Sequence, residues 1–236
     1  MNPQARIGLI IPSSNRMTEP QFHKYVPANL GVHIMRLRMT GKWSKPLDEL
    51  KESIAEAAVT LSDVKPAIIV FHCTASSMEE GLVGEANVLR LIQNASGCVA
   101  MTTGQAIGEA LKFLRLQKLV LITPYVKEIN EHEILYLREA GFEVIHDLGL
   151  GLRGGDEFIR VTPQNWIDIA LENGRPEADG YLLSCTNTSM IDAIEELERR
   201  LQKPVVASNQ ATLWACLRRL SLNERIKPLG QLLNQT

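Results

Sequence analysis

The chain has 236 residues, of which 45% are hydrophobic, and a formal net charge of −2 with acidic and basic residues interspersed. This supports a proper core in one large domain or two small ones. It offers no basic stripe for nucleic acid and no apolar run able to span a bilayer. Near the N-terminus the longest apolar run, Ile7 to Ile11, is too short for a signal peptide, so the cytoplasm is the default expectation for location.

In chain order, short apolar runs predict strands at Arg6–Ile11, Val32–Leu37, Ala67–His72, Cys98–Met101, Leu119–Thr123, Glu143–Asp147, Gly180–Ser184 and Val205–Ala207. Helical periodicity separates them. Leu47, Leu50, Ile54, Ala57 and Leu61 form one apolar face, Ala106, Ile107, Ala110, Leu111 and Leu114 a second, and Ile191, Ile194, Leu197 and Leu201 a third. Thr162-Pro163 reads as an N-cap followed by proline at the first helical position, opening a helix through Trp166 and Ile169. Strands alternating with helices imply an α/β fold with parallel sheets covered on both faces, and a ligand cleft beyond the carboxyl ends of the strands.

The chain also repeats itself. Phe71-His72-Cys73-Thr74 and Leu183-Ser184-Cys185-Thr186 share a frame, with the cysteines 112 positions apart, and Pro12 and Pro124 close apolar runs at the same offset. Thr103-Gly104-Gln105-Ala106 resembles Ser208-Asn209-Gln210-Ala211 at an offset of 105. The expectation is two pseudo-symmetric lobes, each a parallel four-stranded sheet flanked by helices. Residues 1–102 plus about 208–236 would form a discontinuous N-terminal lobe, and about 103–207 the C-terminal one, with the last long helix packing back on the first lobe. The site would lie in the cleft between them.

The glycine-rich stretch from Asp147 to Thr162 contains a formal G-x-G-x-x-G at Gly149 to Gly154. No helix is expected directly after it and no acidic residue follows at the distance a ribose needs, so it reads as a mobile flap over the cleft rather than a dinucleotide site. The cysteines lack C-x-x-C spacing and the histidines lack H-x-x-x-H spacing. Neither a disulfide nor a metal site is expected.

Cys73 and Cys185 each stand at a strand end before small polar residues. A helix starting after each would aim free N–H groups at the sulfur, lower its pKa towards neutrality and bind carboxylate oxygens. Cys98 and Cys216 read as small buried hydrophobes, and His72 as a structural residue pointing away from Cys73. Ser13, Ser14 and Asn15 form a candidate anion cradle. Tyr125, its counterpart in the second half, is a candidate donor to an enolate oxygen. With no Arg or Lys in these motifs, the cradle uses neutral donors.

Pro12-Ser13-Ser14-Asn15, Cys73-Thr74, Pro124-Tyr125-Val126 and Leu183-Ser184-Cys185-Thr186 resemble the aspartate/glutamate racemase superfamily, closest to its maleate cis-trans isomerase and arylmalonate decarboxylase branch. The likeness runs from about Ile7 to Leu220. It implies two flavodoxin-like lobes and cofactor-independent chemistry on a carboxylate. Cys73 then takes the place of the first cysteine of racemases and maleate isomerases, where arylmalonate decarboxylases carry glycine. Cys185 matches the single proton-donating cysteine of the decarboxylases, and Asn15 and Tyr125 match carboxylate-holding positions of maleate isomerases. The polar run Thr74-Ala75-Ser76 departs from the isomerases, and Ser13-Ser14 and Asn187 depart from the amino-acid racemases.

The expectation is an isomerase of a small dicarboxylate, maleate to fumarate being the reference reaction. Cys73 and Cys185 would be catalytic. Ser13, Ser14, Asn15, Thr74, Ala75, Ser76, Tyr125, Thr186 and Asn187 would bind the substrate. A racemase or an arylmalonate-type decarboxylase could use the same parts, and a small-molecule binding or sensor protein is the non-enzyme rival. No cofactor, nucleic acid or membrane is called for, and a homo-oligomer is left open.

Overall fold

The computed structural model describes residues 5–39 and 46–235. Its first half runs β1 (Ala5–Pro12), α1 (Thr18–Tyr25), β2 (Leu30–Leu37), α2 (Leu47–Ser62), β3 (Ile68–Phe71), α3 (Thr74–Met78), α4 (Gly81–Ser96), β4 (Ala100–Thr102) and α5 (Thr103–Phe113). The second runs β5 (Lys118–Thr123), α6 (Lys127–Glu139), β6 (Glu143–Gly149), α7 (Gly155–Phe158), α8 (Pro163–Glu172), β7 (Gly180–Leu183), α9 (Ile194–Leu201), β8 (Val205–Ala207) and α10 (Ser208–Arg219), before a terminal α11 (Gly230–Asn234). Every strand expected from the apolar runs is present.

Two four-stranded sheets form, ordered β2-β1-β3-β4 and β6-β5-β7-β8. All pairings are parallel. The two orders are the same topology repeated, so the duplication inferred from the cysteine and proline frames is a duplication of the fold. Central strands β3 and β7 are buried along their whole length, as strands covered on both faces must be. Side-chain alternation divides the first sheet. Ile7, Leu9 and Ile11 join a large core that continues into the second sheet, and Ile10 faces a smaller core under α2 and α4.

The helices start for readable reasons. Thr162 Oγ1 accepts from the Asn165 N–H at 3.2 Å, a capping box with Pro163 next in line. On α2 the buried residues are Leu47, Leu50, Ile54, Ala57, Ala58 and Leu61, the expected face plus one alanine. α10 is buried from Ser208 to Leu217. It packs mainly on α5 and also on α1, so the two helices that follow the last strand of each half lie together between the sheets. No helix among the described residues is long and apolar enough to cross a membrane.

Candidate active site

β3 ends at Phe71, and two residues later Cys73, in extended backbone, begins α3. β7 ends at Leu183, and two residues later stands Cys185. The shared register brings both thiols to one small, partly open cavity of about 40 Å³, which they line together. That is room for a few water molecules.

Of the other residues expected at the site, Ser14, Asn15, Ala75, Tyr125, Thr186 and Asn187 also line the cavity. Ser13, Thr74 and Ser76 do not. Ser13 is exposed, and its carbonyl accepts from Arg36 Nη1 at 3.0 Å. The Thr74 hydroxyl donates to Ser208 Oγ at 3.0 Å, tying α3 to α10. Ser76 stands one turn behind Cys73, whose Sγ–H donates to Ser76 Oγ at 3.3 Å.

Asn15 is committed to holding the two halves together. Its Oδ1 accepts the Met17 and Thr18 N–H groups at 3.0 and 2.9 Å, capping α1. Its Nδ2 donates to Thr186 O at 3.3 Å and Thr186 Oγ1 at 3.2 Å. Asn209 does the same from α10, donating through Nδ2 to Thr186 O at 3.1 Å and contacting His72 Nε2 through Oδ1 at 2.9 Å. With Oδ1 as acceptor, the His72 proton sits on Nε2, and the Thr103 hydroxyl donates to Nδ1 across 3.0 Å. Burial holds His72 down at about 4, so the ring is neutral. It is the structural residue that strand alternation implied.

One expectation fails. Both thiols are buried, and burial raises the pKa of each, that of Cys185 to about 12. Desolvation outweighs the local N–H groups because those groups are few. α3 is a single short turn. After Cys185 no helix begins at once: a turn precedes a 3₁₀ segment at Met190–Ala193. The donors that remain are specific. The Asn187 N–H lies 3.3 Å from Cys185 Sγ, and the Tyr125 hydroxyl bonds the same sulfur. Burial pushes the Tyr125 phenol well above its ordinary range, so it is a donor at every working pH.

The glycine-rich stretch closes the cavity. The Leu150, Gly151 and Leu152 N–H groups donate to the carbonyls of Thr123, Tyr125 and Pro124 at 3.1, 2.9 and 2.9 Å. A Cβ at Gly149 would meet Tyr125 O at 2.7 Å, which is why glycine stands there. Contrary to expectation, a one-turn helix, α7, does follow Gly154 directly. It supplies Gly155 and Phe158 to the cavity wall, and the Phe158 ring stands edge-on to Tyr125 at 5.8 Å. Arg16 pairs with Asp156 of α7 at 2.6 Å across the entrance. Pro12 lines the cavity too, at the strand end where the cleft was expected, whereas Gly155 and Phe158 were not anticipated. The glycine cluster marked the segment as a cover without indicating which of its side chains turn inward. Among the described residues no cluster of His, Cys, Asp and Glu could hold a metal.

Truncating Asn209 to alanine removes the partner of His72 Nε2 and the donor to Gln21 Oε1, while Thr186 O keeps its bonds from Asn15 and Thr18. Urea denaturation is expected to show a loss of roughly 2–3 kcal/mol, the cost of orphaning buried polar groups. A change under about 0.5 kcal/mol, the range of an ordinary surface substitution, would deny Asn209 this bridging role.

A repeated α/β fold that brings one thiol from each half to a shared cavity, with a tyrosine hydroxyl on one of them, is an enzyme architecture. Residues 7–233 match the arylmalonate decarboxylase family, and the chain belongs to it. A maleate isomerase from Pseudomonas putida is 28% identical, with 97% of each chain covered. The arylmalonate decarboxylase of Bordetella bronchiseptica is 26% identical over 98% of this chain and 97% of its own. A Nocardia farcinica maleate cis-trans isomerase mutant, solved with a covalently bound succinylcysteine intermediate, superposes with a TM-score of 0.91. It covers 98% of this chain and 99% of its own at 24% identity, a likeness of fold.

Proposed function

We propose that this protein is a cofactor-independent isomerase of a small dicarboxylate, with maleate to fumarate as the reference reaction. The observation that carries the reading is the pair of thiols, one from each half, lining one small cavity beside a tyrosine hydroxyl. Cys73 adds as the thiolate, its proton having passed to solvent water through the cavity mouth, and its sulfur bonds to one alkene carbon. The electron pair of the double bond moves onto the neighbouring carbon and its carboxylate as an enediolate. The Tyr125 hydroxyl and the N–H groups near Thr74 and Thr186 hold that charge. Rotation about the new single bond and departure of the thiolate then give the trans acid. Cys185, hydrogen-bonded by Tyr125 and the Asn187 N–H, is the acid/base partner.

Asn15 reaches the substrate only by releasing one of its bonds to Thr186. A four-carbon dicarboxylate needs more space than about 40 Å³, so part of it extends into the open mouth of the cavity beside α7. We further propose that the halves divide as residues 1–102 with 208–236, and 103–207. Packing of α10 on α1 and the Thr74–Ser208 bond support that division.

Decarboxylation of an aryl-malonate is the second reading. The family itself and the polar Thr74-Ala75-Ser76 run favour it, since it needs only Cys185 to protonate the enediolate left by CO2. Proton NMR in D2O with maleate, aryl-malonates and hydroxy acids, without added cofactor, separates these. Fumarate is the expected product. CO2 release from an aryl-malonate with maleate untouched would replace the isomerase by the decarboxylase. Binding without turnover of any acid would replace both by a sensor.

A further inference from the structure

α6 carries a carboxyl group in a place where no stabilising reason for it exists. Glu133 is fully buried, and neither of its oxygens has a hydrogen-bond partner among the described residues. A buried carboxyl without partners is tolerated only while protonated. Ser184, the residue before Cys185, lies close enough to favour its ionised form without closing a hydrogen bond of normal geometry. The charge of Glu133 acts on Cys73, Cys185 and Tyr125 alike. It therefore sits behind the site rather than elsewhere in the core.

The duplication shows how unusual this is. The offset of 112 that relates Cys185 to Cys73 relates Glu133 to Gln21. Gln21, on α1, is buried, and its Nε2 donates at 2.7 Å to Thr188 O in the loop after Cys185. Its Oε1 accepts from Asn209. α6 packs in the corresponding way against α3, the helix after Cys73. One half thus supports the opposite cysteine loop with a satisfied neutral amide, and the other places an ionisable acid there.

We propose that Glu133 is a positioning residue of the two-thiol site: held as a neutral acid behind Cys73 and Cys185, it suppresses thiolate formation when it ionises and so sets the alkaline limit of the reaction. The proposal rests on the reading of these thiols as the reactive pair. The groups around Glu133 leave it this role. Flanking α3 are Cys73 and Glu79, two residues after β7 is Cys185, and before α6 is Tyr125, all acidic groups that cannot neutralise it. On α4, Glu85 is bonded to Thr102 and Tyr136. On β6, Asp147 accepts from Asn130 Nδ2 at 2.6 Å, and His146 is held by Asn173 and Arg175. Burial puts the Glu133 pKa at about 8. Below that value the site is neutral behind the thiols. Above it a negative charge raises their pKa values and repels an anionic substrate.

The test reads the thiols directly. Wild type, Glu133→Gln and Glu133→Leu are alkylated with iodoacetamide from pH 6.5 to 9.5, and modification at Cys73 and Cys185 is followed by peptide mass spectrometry. Variant and wild type are expected to react at the same rate at pH 6.5. The variants are expected to pull ahead by about three- to tenfold at pH 9.5, a tenfold rate corresponding to one pKa unit at the thiol. The leucine variant keeps the test valid if the glutamine variant does not fold. Infrared difference spectra between pH 6 and pH 9 are expected to show loss of a protonated carboxyl band in wild type that both variants lack. Equal alkylation at every pH, or no such band, overturns the proposal. Where maleate is turned over, wild-type kcat/KM should fall above about pH 8 and that of the variants should not. Absence of turnover with the alkylation difference intact would refute the isomerase reading and leave this one standing.

Discussion

Cys73→Ala is expected to lower kcat/KM for maleate isomerisation by at least about 10³-fold, since it removes the nucleophile and with it the covalent route. Cys185→Ala should do nearly as much, because the enediolate loses its acid/base partner along with the sulfur that Tyr125 and Asn187 hold in place. The pair of variants also separates the candidate reactions. An isomerase or racemase needs both sulfurs, whereas decarboxylation needs only Cys185 and survives the loss of Cys73. Steady-state assays on maleate and on an aryl-malonate, with both single variants, decide among them. Turnover of maleate that persists in Cys73→Ala would dismiss the proposed division of roles. Circular dichroism should show both variants folded, since trimming a thiol from a small cavity removes little packing.

The same two thiols show how far the sequence carries. Their position at equivalent strand ends is legible because apolar runs in parallel sheets are short and abrupt, and because Pro12 and Pro124 mark the same frame. Their ionisation is not legible. A helix N-terminus after each cysteine was a reasonable expectation from local composition, but Thr186 to Ser189 form a turn instead, and burial depends on what the other half brings over the site. Asn15 illustrates a similar limit. Its residue type suits an anion cradle and a helix cap equally, and only the distance to Thr186, 171 residues away, shows the cap and the bridge winning. Phe158 and Gly155 reach the cavity through a glycine-rich connection whose path is set by backbone bonds to Thr123, Pro124 and Tyr125, which no periodicity announces. Glu133 was hidden because α6 is rich in charged residues, and its residue type does not distinguish it from Glu128 and Glu131 on the same helix. The offset to Gln21 was the one available signal.

That hidden carboxyl leads to the second large effect. Glu133 in the folded chain has its pKa raised by burial from 4.5 to about 8, whereas in the unfolded chain it titrates normally. Between those values the folded state keeps a proton that the unfolded state has lost. Stability therefore falls as pH rises, by about 1.4 kcal/mol per unit for this one group. The contribution is fully present below about pH 4.5 and gone by about pH 8. Glu133→Gln removes it. The stability of the variant relative to wild type is expected to climb with pH across this window, reaching an advantage on the order of 3–4 kcal/mol at pH 8 over its value at pH 4.5. Urea denaturation at half-unit pH intervals measures that difference, and parallel curves for the two proteins would mean that Glu133 is not held neutral in the folded state. The other buried acids do not enter this difference between variant and wild type in the pH 4.5–8 window. Glu85 and Glu198, also raised by burial, contribute equally to both proteins and cancel in the difference, while Cys185 and Cys216 are pushed up to about 12 and lose their contributions only above pH 9. A chain that keeps such a residue gives up stability at neutral pH, and the residue lies where its charge bears on both thiols.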